Sequence, residues 1–407
     1  MSNVNKVYEP TWESLDKHEV PKWFDDAKFG IMIHWGPYSV PAWAPKMEMD
    51  VESFIKKGEW YKVHPYSEWY VRVMQEKDSP TWKYHVEHYG KDFGYDDFIP
   101  MFKAEKWDPS QWASLFKEVG AKYVILVSQH GDGFSLWPSK YTHRNAVEMG
   151  PHRDIVGDLA RAVRGRGLRI GFYHPTTYSW WHPDFPGEKF VEYTHNSIRE
   201  LIGLYHPFIL WGDTPIGLED GFGLGVEHWR SKELIAYFYN QAEDPAEVTV
   251  NNRWGIDEEG KFHGDFDTPE YAMRKEITER MWEAVRGIGK SFACNRNEGL
   301  EDYMSVKDLV EMLVDIVSKN GNFLLDVGPK ADGSIPEIQV ERLRGIGEWL
   351  DVNGEAIYGT RPWFIAEDTT DDGISVRYTK KEDNVYAVLF DWPGDSVTLK
   401  LARAREG

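Results

Sequence analysis

The chain has one cysteine, Cys294, among 407 residues. That excludes an intrachain disulfide and any cysteine-based metal cluster. Basic residues are outnumbered: 47 Lys and Arg against 67 Asp and Glu leave a formal net charge of −20. A field of that sign repels a phosphate backbone, so no nucleic-acid partner is expected. Apolar runs are short. Tyr123–Val127 is typical, far below the ~20 residues a membrane-spanning helix needs. The opening MSNVNKVYEP has no basic-then-apolar stretch of the kind that makes a signal peptide. A soluble, cytoplasmic protein without a membrane partner is therefore the expectation. Internal repeats and low-complexity tracts are also missing.

What the chain has in abundance is aromatic side chains: 19 Trp, 21 Tyr and 20 Phe. Most belong to the core, because large aromatics dominate core burial. A surplus of Trp also suits flat, partly apolar ligands such as sugar rings.

The apolar residues are organised as short runs between helical stretches. Phe29–Ile33, Tyr123–Val127, Leu168–Tyr173, Phe208–Trp211, Val248–Val250 and Phe323–Val327 are nearly continuous rather than alternating, as in parallel strands covered on both faces. Asp108 followed by Pro109 predicts a capped helix with Trp112, Leu115, Phe116 and Val119 on one face, ending at Gly120. Ile155, Leu159 and Val163 form a second apolar stripe, and Phe190 to Tyr205 a third. Ser305 with Asp308 resembles a capping box ahead of Leu309, Leu313, Ile316 and Val317. This alternation predicts an α/β fold, a (β/α)8-type barrel over residues 1–360. A doubly wound sheet is the rival, weakened by the lack of a G-x-G-x-x-G after the first strand. Residues 361–407 lose helical periodicity and read as a short C-terminal β domain, with strands at Ile374–Tyr378, Val385–Phe390 and Ser396–Leu401.

Barrel enzymes carry their catalytic groups at the C-terminal ends of the strands. Here successive runs end in His34-Trp35, Gln129-His130, Tyr173-His174 and Asp213, with Arg253 and Glu270 after later segments. A single carboxylate beyond a strand is more often a helix cap; six polar endings in series are hard to explain that way. Two carboxyls, Asp213 and Glu270, among His, Trp, Tyr and Arg are the equipment of a glycoside hydrolase. A metal site from His34, His130, His174, Asp132 and Asp213 is the competing chemistry, but no H-x-H or H-E-x-x-H pair supports it. No G-x-S-x-G elbow points to a serine nucleophile. No cofactor is expected.

Residues 28–36 (KFGIMIHWG), 68–70 (EWY), 130–137 (HGDGFSLW), 210–213 (LWGD), 252–255 (NRWG), 268–271 (TPEY), 282–283 (WE), 286–289 (RGIG) and 295–299 (NRNEG) together resemble the α-L-fucosidases of glycoside hydrolase family 29. The likeness is nearest to their bacterial, thermophile-type branch and runs from about residue 8 to 364. It implies a retaining exo-glycosidase acting on a terminal fucosyl saccharide, on a barrel followed by a β-sandwich, and it is compatible with a homo-oligomer. By this resemblance Asp213 is the nucleophile and Glu270 the acid/base, with Glu283 in reserve. His34, Glu68, Trp69, His130, Tyr173 and Arg253 would bind the sugar, with Phe292 near its C5 methyl. The chain also departs from the pattern. Residues 129–134 read Gln-His-Gly-Asp-Gly-Phe where the family has Lys-His-His-Asp-Gly-Phe, and Gly131 is expected to leave room for a water or a bulkier substituent. Met32 replaces an aromatic, His174 a second tyrosine, Ala293-Cys294 a Gly-Tyr pair and Asp326 an asparagine. These changes predict retained glycosidase chemistry with a reshaped pocket. The alternatives are a glycosidase for a different α-L-sugar or a non-catalytic carbohydrate-binding protein.

Overall fold

A computed structural model describes residues 8–46, 53, 56–60, 62–214 and 224–400. Seven parallel strands form its main sheet: β1 (Phe29–Ile33), β2 (Tyr123–Val127), β3 (Arg169–Pro175), β4 (Ile209–Asp213), β5 (Thr249–Val250), β6 (Trp282–Gly287) and β7 (Gly321–Val327). Their spatial order is β5-β4-β3-β2-β1-β7-β6. Single parallel bridges Asn251–Phe266, Asp267–Trp282 and Glu270–Val285 place residues 266–270 between the two edge strands and join the ring. The architecture is the expected barrel followed by a small β sheet.

The continuous apolar runs conceal a period of two. Ile31, Ile33, Val124, Leu126, Ile170 and Phe172 pack outward with Trp112, Phe116, Ile155, Leu159, Val163, Leu313 and Val317 from the covering helices. Met32, Tyr123, Ile125, Val127, Tyr173, Ile209, Trp211 and Val285 point inward, and Phe24 joins them. Both faces are buried, so both must be apolar. Gly30 is required by this packing: a Cβ there would lie 2.3 Å from the Tyr123 ring.

Three helices begin at capping side chains, those at Asp108 and Ser305 as the sequence predicts. Asp108 accepts from the amides of Ser110 and Gln111 at 2.8 and 3.2 Å, opening helix Pro109–Glu118. Asp154 accepts from Gly157 at 2.8 Å, opening Ile155–Gly165. Ser305 accepts from the Asp308 amide at 3.1 Å, opening Val306–Ser318. Each capped donor would otherwise be an orphan of the first turn.

Strand β6 has no apolar run to announce it, because Glu283 and Arg286 interrupt the pattern. Beyond it, β8 (Arg361–Thr369), β9 (Ser375–Lys381) and β10 (Asn384–Leu389) make an antiparallel sheet in the order β10-β9-β8. Two of the predicted C-terminal strands correspond to β9 and β10. Residues 396–400 form no strand, and Leu401 lies outside the described residues. The sheet is tied to helix Val306–Ser318 by Arg377 Nε, which donates to Asp315 at 2.5 Å. A domain boundary at residue 360 is the division we propose.

Phe172 is fully buried in the outer layer. Its replacement by alanine should cost ~3–5 kcal/mol, read as a lowered urea midpoint with little change in slope.

Candidate active site

A cavity opens among the C-terminal ends of the strands. His34, Glu68, Trp69, His130, Tyr173, Asp213, Arg253, Glu270 and Phe292 all line it. The structure thus gathers every predicted site residue except Glu283 around one hollow.

Asp213 ends β4 and Glu270 ends the bridging segment. Arg253 lies between them. Its Nη1 donates to Asp213 Oδ1 at 3.2 Å and to Glu270 Oε2 at 2.9 Å. The two bonding oxygens are therefore within about 6 Å of one another, the most that two such bonds to a single atom allow. Nε and Nη2 are held by the Thr268 hydroxyl at 2.9 Å and its carbonyl at 2.8 Å, so the guanidinium is fixed from behind. Burial opposes its charge, but Glu270 and Asp213 outweigh that and hold it above the ordinary arginine value. Tyr173 donates to the other Asp213 oxygen, Oδ2, at 2.7 Å.

Histidine and acid groups form the opposite wall. His34 Nδ1 bonds Asp326 Oδ1 at 2.7 Å, made possible by the register that sets Ile33 beside Val327. Burial works against a charge on His34, yet Asp326 holds the imidazole above its usual value. The same burial pushes Asp326 up to about 6. Glu68, on the turn Ser67–Trp69, accepts from the Ala293 amide at 3.1 Å, and burial pushes it up to about 7. Burial, reinforced by His34, holds His130 well below the usual histidine value, leaving it a neutral ring. Trp69 stacks on His64 with centroids 3.8 Å apart. Phe292 stacks on His34 at 5.0 Å and meets the rings of Tyr66 and Tyr271 edge-on at 5.1 Å, making an apolar wall.

Glu283 occupies a lower layer. Val285 lines the cavity, and Glu283 sits two residues back on the same inward face of β6, about 6–7 Å deeper. Its side chain is fully buried, accepting from the Tyr123 hydroxyl and, at 3.0 Å, from Trp211 Nε1. It braces Trp211, whose ring carries the Arg253 guanidinium at 4.9 Å.

Gly131 leaves no room. A Cβ there would meet the Trp180 ring at 2.5 Å and the Tyr178 ring at 2.7 Å. Trp180 donates its amide to the Gly131 carbonyl at 2.8 Å and leans on Trp69 at 4.4 Å. The expected gap is filled by aromatics from the loop after β3. Sequence reasoning also passed over Trp60 and Tyr66 in the cavity wall; neither sits at a strand end, so the strand-end rule could not find them. Of the residues of the metal reading, His34, His130 and Asp213 line the cavity but Asp132 and His174 do not: Asp132 accepts from Tyr95 at 2.7 Å, and His174 Nδ1 bonds the Pro175 carbonyl at 2.9 Å. Among the described residues, no group of three or more His, Cys, Asp or Glu could hold a metal ion.

Burial raises Glu283 from 4.5 to about 7. The folded state then binds its proton more tightly than the unfolded chain does. That contribution to stability is complete below about 4.5 and is lost as pH rises through about 7. Glu283→Gln should remove a pH 5 to pH 8 difference on the order of 3 kcal/mol, measured as urea midpoints at both pH values.

A family model described as alpha-L-fucosidase matches residues 1–355. The alpha-L-fucosidase of Branchiostoma floridae is 37% identical over 413 residues, covering 98% of this chain and 85% of that protein. Human plasma alpha-L-fucosidase is 36% identical over 399 residues, covering 95% and 79%. Among solved structures, Thermotoga maritima alpha-fucosidase in complex with fucose is 45% identical with a TM-score of 0.81, covering 94% of this chain and 86% of that one. The same Thermotoga maritima protein in complex with a mechanism-based inhibitor is 46% identical with a TM-score of 0.82. No helix among the described residues is long and apolar enough to cross a membrane. With its barrel, its paired acids and these relatives, the chain belongs to the α-L-fucosidase family of glycoside hydrolases.

Proposed function

We propose that the protein hydrolyses terminal α-L-fucosides by double displacement through a covalent glycosyl-enzyme. The observation that carries this is the shared Arg253 Nη1, with Asp213 and Glu270 oxygens within about 6 Å of each other. Inverting enzymes need ~6.5–9.5 Å between carboxyls to admit a water, whereas retaining enzymes use ~5–5.5 Å. The Thermotoga maritima relative bound to fucose supports the choice of sugar.

In this reading Asp213 attacks the anomeric carbon. Arg253 and Tyr173 hold its carboxylate in place with one hydrogen bond to each oxygen. Glu270 protonates the leaving oxygen. The same group can then take a proton from water and complete hydrolysis. His34, Glu68, Trp69 and His130 contact the sugar hydroxyls and ring. Phe292 faces the C5 methyl, where a hydroxyl would be buried without a partner.

Asp213→Gly should lose hydrolysis of an aryl α-L-fucoside and regain turnover with azide, giving a fucosyl azide of inverted configuration. A product of unchanged configuration would overturn the nucleophile assignment. Glu270→Gln should lose at least about 100-fold on substrates with poor leaving groups and far less on activated aryl fucosides, whereas Glu283→Gln should show no such leaving-group dependence. The aryl α-L-galactoside, which adds a hydroxyl at C6, should have kcat/KM about 10- to 100-fold below the fucoside. A panel in which another α-L-sugar leads would reassign the substrate.

A further inference from the structure

The loop Thr176-Thr177-Tyr178-Ser179-Trp180 is pinned to the site at both ends. Thr176 donates its amide and hydroxyl to the Asp213 carbonyl at 3.2 and 2.9 Å, and Trp180 donates its amide to the Gly131 carbonyl at 2.8 Å. Between these anchors Tyr178 is driven into the barrel mouth, its side chain fully buried, in space that exists only because residue 131 has no Cβ. Its hydroxyl lies 2.5 Å from that of Tyr173 and 3.1 Å from His130 Nε2.

Proton counting orients this chain. Tyr173 has one hydroxyl proton, and it goes to Asp213 Oδ2. The 2.5 Å contact must then be donated by Tyr178 to the Tyr173 oxygen. Tyr178 has no second proton, so His130 Nε2 carries the hydrogen in the 3.1 Å contact. The neutral ring's other nitrogen, Nδ1, is then a bare acceptor, and it has no hydrogen-bond partner in the protein. Every donor in the series points at Asp213, and each bond polarises the next.

We propose that Tyr178 is a positioning residue, acting through Tyr173 to strengthen the hydrogen bond that holds and stabilises the Asp213 carboxylate. The proposal rests on the reading of Asp213 as the nucleophile. The Tyr178 hydroxyl bonds Tyr173 and His130 rather than a carboxylate, so the part of its effect that runs through Tyr173 must vanish when Asp213 is absent.

A double-mutant cycle tests this. Tyr178→Phe should lower kcat on an aryl fucoside about five- to tenfold, the worth of one hydrogen bond, with KM changed less than about twofold. In an Asp213→Gly background, the azide-rescued rate should differ less than about twofold with and without Tyr178→Phe. Equal losses in both backgrounds would make Tyr178 a packing residue and overturn the proposal, as would an unchanged kcat in the otherwise intact enzyme. Failure of azide to rescue Asp213→Gly alone would instead overturn the nucleophile assignment, and the relay with it.

Discussion

The site is organised around one buried guanidinium shared by two carboxylates. Arg253 gives a single nitrogen to both Asp213 and Glu270 and is gripped from behind by Thr268. Without it, two carboxyls in a largely buried pocket would face each other with no cation between them. Its own charge is tolerated because both partners are close and every donor it uses finds an oxygen. The constraint spreads outward. Thr268 donates to Asn252 Oδ1 at 3.0 Å and Asn252 Nδ2 donates to Asp267 at 3.0 Å, so the loop after β5 is stitched to the segment that closes the barrel. The irregular, bridged stretch 266–270 is the part of the ring with least ladder pairing, and these side-chain bonds hold it where Glu270 must be.

A second theme is that missing side chains shape the pocket as much as those present. Gly30 admits the Tyr123 ring, Tyr123 and Trp211 clamp Glu283, and Trp211 supports the face of Arg253. A glycine low in one strand thereby reaches the catalytic layer through three side chains. Gly131 acts the same way at the mouth, where its bare Cα is the seat for Tyr178 and Trp180. The loop after β3 fills the space beside Gly131 with aromatic side chains, so the mouth is packed there rather than open.

Much of the barrel was legible in the sequence. Strands β1 and β2 coincide with their apolar runs because both faces are buried and nothing polar interrupts them. Two helix starts followed from Asp108 and Ser305, since capping is local chemistry. Strand β6 was obscured by Glu283, a carboxylate that only its barrel-interior partners make acceptable. In the C-terminal sheet, β8 is half-buried along most of its length and lacks a decisive apolar pattern.

The sequence by itself determined the inventory: acids, histidines and an arginine at the ends of strands, on an α/β repeat whose period and caps are local properties. Only the tertiary structure placed Glu270 in the cavity wall and Glu283 beneath it. Both project toward the barrel axis, and depth along that axis depends on how neighbouring strands are staggered, which no single segment encodes. It alone also decided what stands opposite Gly131. Contacts between residues distant in the chain are set by the packing of whole elements, and the space a glycine leaves is filled by whichever side chain that packing delivers.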